Sequence, residues 1–242
     1  MIQFPEKFQE RMQKMLGDEE YAEFLKSYDL PFHNGLRINT WKTKPQELLR
    51  RMGVDLKQVP WNETGFYLEN KKQFSKHPYY QGGLYYIQEA SAMLPAKLVN
   101  AQPGEKILDM CAAPGGKSTA IGAALKGEGL LISNDISKSR AKALLRNLEG
   151  FGIINSIVVS EYPEKLSRYF PEFFDKVLID APCSGEGMFH KEPSMTESWL
   201  RMGPEEYHKL QMEILTYGAK MVRPGGKLIY STCTFSPEED EG

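Results

Sequence analysis

Lys106-Ile107-Leu108-Asp109-Met110-Cys111-Ala112-Ala113-Pro114-Gly115-Gly116-Lys117-Ser118 is the stretch on which the fold turns. A short apolar run ends in an aspartate, and small residues with two adjacent glycines then lead into a helical pattern. Small side chains let the backbone approach a ligand closely and open the helix that follows. Two familiar phosphate-binding loops fail here on spacing. G-x-x-x-x-G-K-[ST] needs a glycine five residues before Gly116, where Cys111 stands. G-x-G-x-x-G fails because the glycines are adjacent and Thr119 and Ala120 follow them.

Outward from this turn, strands and helices alternate from about residue 90, the signature of a doubly wound α/β domain with a mostly parallel sheet. Strand Lys106–Asp109 is followed by a helix from Gly116, and strand Leu130–Ser133 by Asn134-Asp135. A helix from Lys138 to Glu149 leads to strand Ser156–Val159, and a further strand, Lys176–Ile179, ends at Asp180. An amphipathic helix over Pro204–Met221 then reaches a Pro224-Gly225-Gly226 turn and strand Lys227–Tyr230. Asp135 closes the second strand, where a carboxylate can accept both hydrogen bonds of a ribose diol. A ribose acid without a pyrophosphate loop points to an adenosyl ligand, and S-adenosylmethionine fits.

The first 80 residues read differently. Residues 5–27 form two short helices broken at Gly17-Asp18, Leu36–Trp41 and Gly65–Leu68 resemble strands, and Pro45–Met52 is helical with proline in its first turn. His77–Gln88, rich in tyrosine and holding a Gly82-Gly83 turn, reads as a junction. The expected organisation is a small N-terminal α+β domain over 1–80 and a cofactor-binding domain over 81–242.

Composition narrows the class. The 242 residues are 41% hydrophobic and 26% charged, ordinary for a soluble globular protein. No apolar stretch approaches the roughly 20 residues that span a bilayer, and Met1–Lys7 lacks a charged-then-apolar signal pattern. A cytoplasmic chain without a membrane partner is predicted. Three cysteines without C-x-x-C spacing and four histidines without metal spacing predict no metal. A net charge of −2 neither requires nor excludes nucleic acid. Arg50-Arg51 and Lys71-Lys72 with Lys76 are local basic clusters; Lys138, Arg140, Lys142 and Arg146 read as a solvated helix face.

Two of the cysteines close Asp180-Ala181-Pro182-Cys183 and Ser231-Thr232-Cys233, each just beyond a strand. A lone cysteine is ordinarily a small buried hydrophobe. Two thiols at strand ends, one three residues past an aspartate, favour convergence on one substrate, because open α/β sheets bind ligands at those ends.

Three ordered motifs, Asp109–Lys117, Asp180-Ala181-Pro182-Cys183-Ser184-Gly185-Glu186-Gly187 and Ser231-Thr232-Cys233-Thr234, resemble the Sun-type RNA 5-methylcytosine methyltransferases. The resemblance extends through Tyr86-Ile87-Gln88-Glu89-Ala90-Ser91 and covers most of residues 35–242. Phe189-His190-Lys191-Glu192-Pro193 is most similar to the branch acting on small-subunit ribosomal RNA. The family resemblance implies S-adenosylmethionine-dependent methylation of cytosine C5 in RNA, most simply 16S ribosomal RNA, through a covalent cysteine–C6 adduct. Cys233 matches the nucleophile, Cys183 the cysteine that assists product release, and Asp180 the aspartate that hydrogen-bonds the cytosine. Cys111, Ala112, Ala113, Pro114, Gly115, Gly116 and Lys117 match the loop around the methionine part of the cofactor. Asp135 matches the ribose ligand, and Asp180 is also counted beside the cofactor. The expected partner is RNA or the small ribosomal subunit, with RNA also on the N-terminal domain and the protein monomeric. Transfer RNA as substrate, a non-catalytic RNA- and cofactor-binding fragment, and a methyltransferase for another nucleophile with structural cysteines are the alternatives.

The sequence departs from the family in two places. Relatives often carry an aspartate near the adenine after the third strand, where this chain has Ser160-Glu161-Tyr162-Pro163, leaving Glu161 or Tyr162 as substitutes. The chain also stops nine residues after Cys233, whereas relatives continue into a helix and two strands, so a truncated sheet is expected. The target base must be single-stranded or flipped to expose C5. Glu186–Lys191 are expected at the pocket entrance, and Tyr79, Tyr80, Tyr85 and Tyr86 either stack on bases or pack between domains.

Overall fold

The structure is a computed structural model that describes residues 2–30, 34–69 and 71–242. Its contacts separate two compact units. One joins residues 2–30 to Ala181–Glu213 and Thr232–Gly242; the other joins residues 34–180 with Ile214–Ser231.

The larger unit holds two sheets. The first is antiparallel, with strands β1 (Asn34–Ile38), β2 (Gln58–Val59), β3 (Asn62–Leu68) and β4 (Tyr85–Glu89) in the order β2-β3-β1-β4. Leu36, Ile38, Phe66, Leu68 and Tyr85 pack from it against Leu48 of the helix Pro45–Met52 and against Phe74. That helix starts on its proline as expected and stops at Gly53, whose φ of 65° ends it with a left-handed cap. β4 lies in the tyrosine-rich stretch read as a junction. Its alternation is hidden because Tyr86 to Glu89 are all half-buried, with neither face open to water. Tyr85 is fully buried, and its hydroxyl donates to the Phe74 carbonyl at 2.7 Å.

The second sheet is built from β5 (Lys106–Asp109), β6 (Leu130–Asn134), β7 (Ser156–Val159), β8 (Phe174–Asp180) and β9 (Val222–Ser231). Every pairing is parallel and the order is β7-β6-β5-β8-β9. This is the doubly wound sheet read from the sequence. The chain winds outward from β5 to β7, then crosses back to β8, so the carboxyl ends of β5 and β8 flank the reversal of strand order. Ligands bind at such a switch point. Ile107, Leu131, Leu144, Leu148 and Leu178 are buried in the core beneath it. β9 is longer than Lys227–Tyr230. Phe174 pairs with Val222 and Lys176 with Lys227, so the Pro224-Gly225-Gly226 turn is accommodated as an irregularity inside the strand.

In the smaller unit, the helix Glu6–Ser27 is interrupted at Gly17, with φ 75° and ψ 170°, where two helices were expected to break. Phe8 and Met12 from its first half pack with Phe189 and Trp199. Residues Ala181–Glu213 contribute the tight turn Glu186–Met188, the helix Met195–Arg201 and the beginning of the helix Pro204–Met221. Among the described residues, no helix is long and apolar enough to cross a membrane.

Candidate functional site

The switch point of the larger unit gathers the residues read as cofactor-binding. Beyond β5, the Met110 N–H donates to the Leu178 carbonyl at 2.9 Å, and the Ala112 N–H donates to the Asn134 carbonyl at 2.7 Å. The Asn134 side chain returns a bond to the Met110 carbonyl at 3.0 Å. The turn is therefore fixed to the ends of both β8 and β6. Gly115, at φ 112°, takes a conformation that side chains resist, and Gly116 opens the helix Gly116–Leu125. A Cβ on Gly116 would lie 3.0 Å from Gln88 Oε1 and 3.2 Å from the Tyr86 ring. Gly115 is thus favoured by its backbone conformation and Gly116 by close packing behind the turn.

Three carboxylates converge there. Asp180 accepts Lys117 Nζ at 2.7 Å and the Ser231 hydroxyl at 2.8 Å. Asp135, nearly inaccessible, accepts the Ser137 N–H at 2.9 Å and pairs with Arg140 at 3.3 Å. Asp109, which the sequence marks only as the end of a strand, is fully buried. It accepts the Ser118 hydroxyl at 2.6 Å through Oδ2, and Ser133 supports Ser118 at 2.9 Å, but Oδ1 has no hydrogen-bond partner. Burial drives its pKa up to about 7, the charges of Asp180 and Asp135 add to the rise, and Ser118 and Lys117 oppose it. Burial and the same three carboxylates push the Cys111 thiol up to about 12, so Cys111 is a neutral wall of the turn. A cluster of three acids countered chiefly by Lys117 and a surface arginine suits a cationic ligand.

Past β7 lie Glu161 and Tyr162, the latter with its ring exposed. The Glu161 N–H donates to Asn134 Oδ1 at 2.9 Å, while its carboxylate is held by Lys165 at 2.8 Å. Ile136, directly after Asp135, is 59% exposed and offers an apolar surface beside it. An isoleucine following a strand-end acid was the available sequence signal. Tyr85 is core and Tyr86 packs on Phe151 at 5.8 Å between centroids, so packing accounts for these two tyrosines.

The smaller unit holds the two strand-following thiols together. Cys183 Sγ and Cys233 Sγ are 3.2 Å apart, well beyond the 2.03–2.05 Å of a disulfide. The Cys233 N–H points at Cys183 Sγ from 3.3 Å. Cys183 is buried and Cys233 is exposed. Hydrogen bonding to Cys233, then burial, raise the pKa of Cys183 and keep its proton in place. Two buried carboxylates frame the pair. Glu239 accepts the Ser184 N–H and Gln211 Nε2, each at 2.9 Å, while the Ser184 and Thr234 hydroxyls meet at 2.7 Å. Glu186 accepts Trp199 Nε1 at 2.7 Å and the Phe235 N–H at 3.2 Å, and it is paired with Arg11. Gly187 donates its N–H to the Cys233 carbonyl at 2.9 Å, and a Cβ there would approach that oxygen to 3.0 Å. Of Glu186–Lys191, expected at an entrance, Glu186 and Phe189 are fully buried, drawn inward by Arg11 and the aromatic cluster, whereas Gly187 and Lys191 are exposed. Glu239, Gln211 and Arg11 carry no local sequence signal, since each reaches a partner distant in the chain.

A family model for the 16S rRNA methyltransferase RsmB/F matches residues 96–242, and one for the N-terminal domain of 16S rRNA methyltransferase RsmF matches residues 4–90. Ribosomal RNA small subunit methyltransferase F of Vibrio parahaemolyticus is 34% identical over 249 residues, covering 99% of this chain and 52% of the relative. The protein of that name from Escherichia coli O81 is 34% identical over 250 residues with the same coverage. The chain thus spans about half the length of the curated relatives it matches. A methyltransferase homologue from Pyrococcus horikoshii superposes with a TM-score of 0.80 at 32% identity, covering 95% of this chain and 78% of that one. NSun6 from Pyrococcus horikoshii, solved with SFG, shares the fold with a TM-score of 0.87 at 23% identity, covering 100% of this chain and 86% of that one. The chain belongs to the RsmB/F family of 16S rRNA methyltransferases.

Proposed function

We propose that this chain methylates cytosine C5 in small-subunit ribosomal RNA, with S-adenosylmethionine as methyl donor and Cys233 as nucleophile. The carrying observation is the thiol pair: an exposed Cys233 at 3.2 Å from a buried Cys183 whose proton is held in place. The names of the curated relatives favour ribosomal over transfer RNA.

The turn Cys111–Lys117 suits the donor because three acids surround it. Asp135 would hold the ribose diol, and Ile136 offers a surface for the adenine. When bound, S-adenosylmethionine supplies an electrophilic methyl group on a sulfonium. Cys233 as thiolate adds to cytosine C6, which turns C5 into an enamine-like nucleophile and divides one hard step into two easier ones. Asp180, oriented by Lys117 and Ser231, hydrogen-bonds the N3 and amine edge where charge develops. After methyl transfer, the C5 proton must leave before the Cys233–C6 bond breaks. Adduct formation consumes the Cys233 thiolate that holds the Cys183 proton, so Cys183 can release that proton to solvent, take the C5 proton as a thiolate and let Cys233 depart as the leaving thiolate.

Incubating the chain with S-adenosylmethionine and small-subunit ribosomal RNA tests this reading. Cys233→Ala should abolish methyl transfer, and Cys183→Ala should accumulate a protein–RNA adduct that survives denaturing electrophoresis. Full activity of a variant lacking both thiols would sink the mechanism. Bisulfite sequencing of the modified RNA then reports whether C5 of a cytosine carries the methyl group.

A further inference from the structure

We propose that Arg37, on β1 of the antiparallel sheet, is a positioning residue for the cofactor turn, with Asn147 as its counterpart on the helix Lys138–Phe151. The proposal rests on reading Cys111–Lys117 as the S-adenosylmethionine turn.

Four consecutive carbonyls of the turn are held by side chains. Ala113 O accepts Arg140 Nη2 at 2.8 Å, Pro114 O accepts Asn147 Nδ2 at 2.7 Å, and Gly115 O accepts the Thr119 hydroxyl at 2.8 Å. Gly116 O accepts Arg37 Nη2 at 2.9 Å, and the same nitrogen donates to Thr119 Oγ1 at 2.8 Å. A peptide unit is planar and trans across these bonds after Pro114, so each N–H points opposite to the preceding carbonyl. Tying back the carbonyls of Pro114, Gly115 and Gly116 therefore aims the N–H groups of Gly115, Gly116 and Lys117 the other way. None of these three N–H groups donates to a backbone acceptor among the described residues. A row of N–H groups fixed in this way forms an oriented concavity for acceptor atoms of a ligand.

Arg37 differs from Arg140 in how firmly it is held. It is 3% exposed, its guanidinium lies 5.8 Å from the Phe151 ring centroid, and Tyr86 of β4 faces it. Burial lowers its pKa to about 10, so it stays charged at neutral pH. A charge-assisted bond from a rigid, buried donor orients a carbonyl far better than a mobile surface group. β1 thus supplies a part of the cofactor site from outside the parallel sheet.

The test uses the full chain as wild type, Arg37→Lys, Arg37→Met and Asn147→Ala, with thermal unfolding run on each. Isothermal calorimetry measures S-adenosylmethionine affinity, and hydrogen exchange follows the peptide covering Cys111–Lys117 in the absence of cofactor. Asn147 is only half-buried, so its variant folds even where Arg37→Met does not. The expected results are a cofactor affinity reduced about tenfold or more in Asn147→Ala and Arg37→Met, partial rescue in Arg37→Lys, and faster exchange of the turn peptide in every variant. RNA affinity should stay within twofold of wild type. Unchanged cofactor affinity and unchanged exchange in Asn147→Ala and Arg37→Lys would overturn the positioning role while leaving the cofactor reading intact. If wild type itself takes up no S-adenosylmethionine, the cofactor reading falls and this role falls with it.

Discussion

Asp109→Asn should reverse its effect on stability with pH. The carboxyl is fully buried at the end of β5, with Ser118 on Oδ2 and no partner on Oδ1. Its folded pKa of about 7 lies above the ordinary 3.8, so the native state favours the neutral acid. That preference is fully present below about pH 4 and is lost as pH rises from there through 7. At ~1.4 kcal/mol per pH unit, the rise from 3.8 to about 7 amounts to about 4 kcal/mol of lost stability above neutrality. Asparagine keeps the acceptor for Ser118 and cannot ionise, but leaves an amide N–H without a partner where Oδ1 was, which costs about 1–2 kcal/mol. The variant should therefore match wild type near pH 5 and exceed it by about 2–3 kcal/mol at pH 8. Urea unfolding of both proteins at pH 5, 6, 7 and 8, at constant ionic strength with a reductant, measures the difference. All other titrating groups are shared and largely cancel. A difference that stays flat with pH, or falls as pH rises, would refute the claim that Asp109 is a buried acid titrating near neutrality.

Arg11→Met removes the cation from fully buried Glu186 and should lower stability by about 3 kcal/mol, a fall of about 6–12 °C in melting temperature. Adding Glu186→Gln to it should recover part of the loss, and a double variant less stable than Arg11→Met would contradict the pairing. Iodoacetamide at pH 8, followed by peptide mass spectrometry, should label exposed Cys233 first. Cys111, held near 12 by burial and three carboxylates, and buried Cys183 should lag at least about tenfold; labelling of Cys111 first would contradict the acidic surroundings assigned to it.

The parallel sheet was legible because its strands are short apolar runs that end in acids or turn residues. Lys106–Asp109 and Ser156–Val159 coincide with β5 and β7 to the residue. β4 escaped because a strand half-buried on both faces shows no alternation, and β2 because two residues carry no period. The turn was legible for a related reason: adjacent glycines and small residues mark backbone that must come close to something, and Gly115 does take a positive φ. What fixes that backbone was not legible. Arg37, Arg140 and Asn147 reach the turn carbonyls across 27 to 79 residues of chain, and a long-range side-chain bond leaves no spacing pattern behind.

The two thiols show the same division between what spacing carries and what only packing decides. In the sequence, Cys183 and Cys233 are equivalent: each stands two or three residues beyond a strand-end polar group, and nothing local distinguishes attacker from assistant. In the folded unit the equivalence is lost. Cys183 is enclosed by its own loop, receives the Cys233 N–H and keeps its proton against Cys233. Cys233 lies at the surface with Gly187 holding its carbonyl. A nucleophile has to reach its substrate as a thiolate, whereas a group acting late in the reaction gains from remaining protonated until the adduct has formed. Exposure and proton retention therefore argue for Cys233 as attacker independently of family resemblance. The expected kinetic expression of that asymmetry is loss of methyl transfer in Cys233→Ala and adduct accumulation only in Cys183→Ala, read by denaturing electrophoresis.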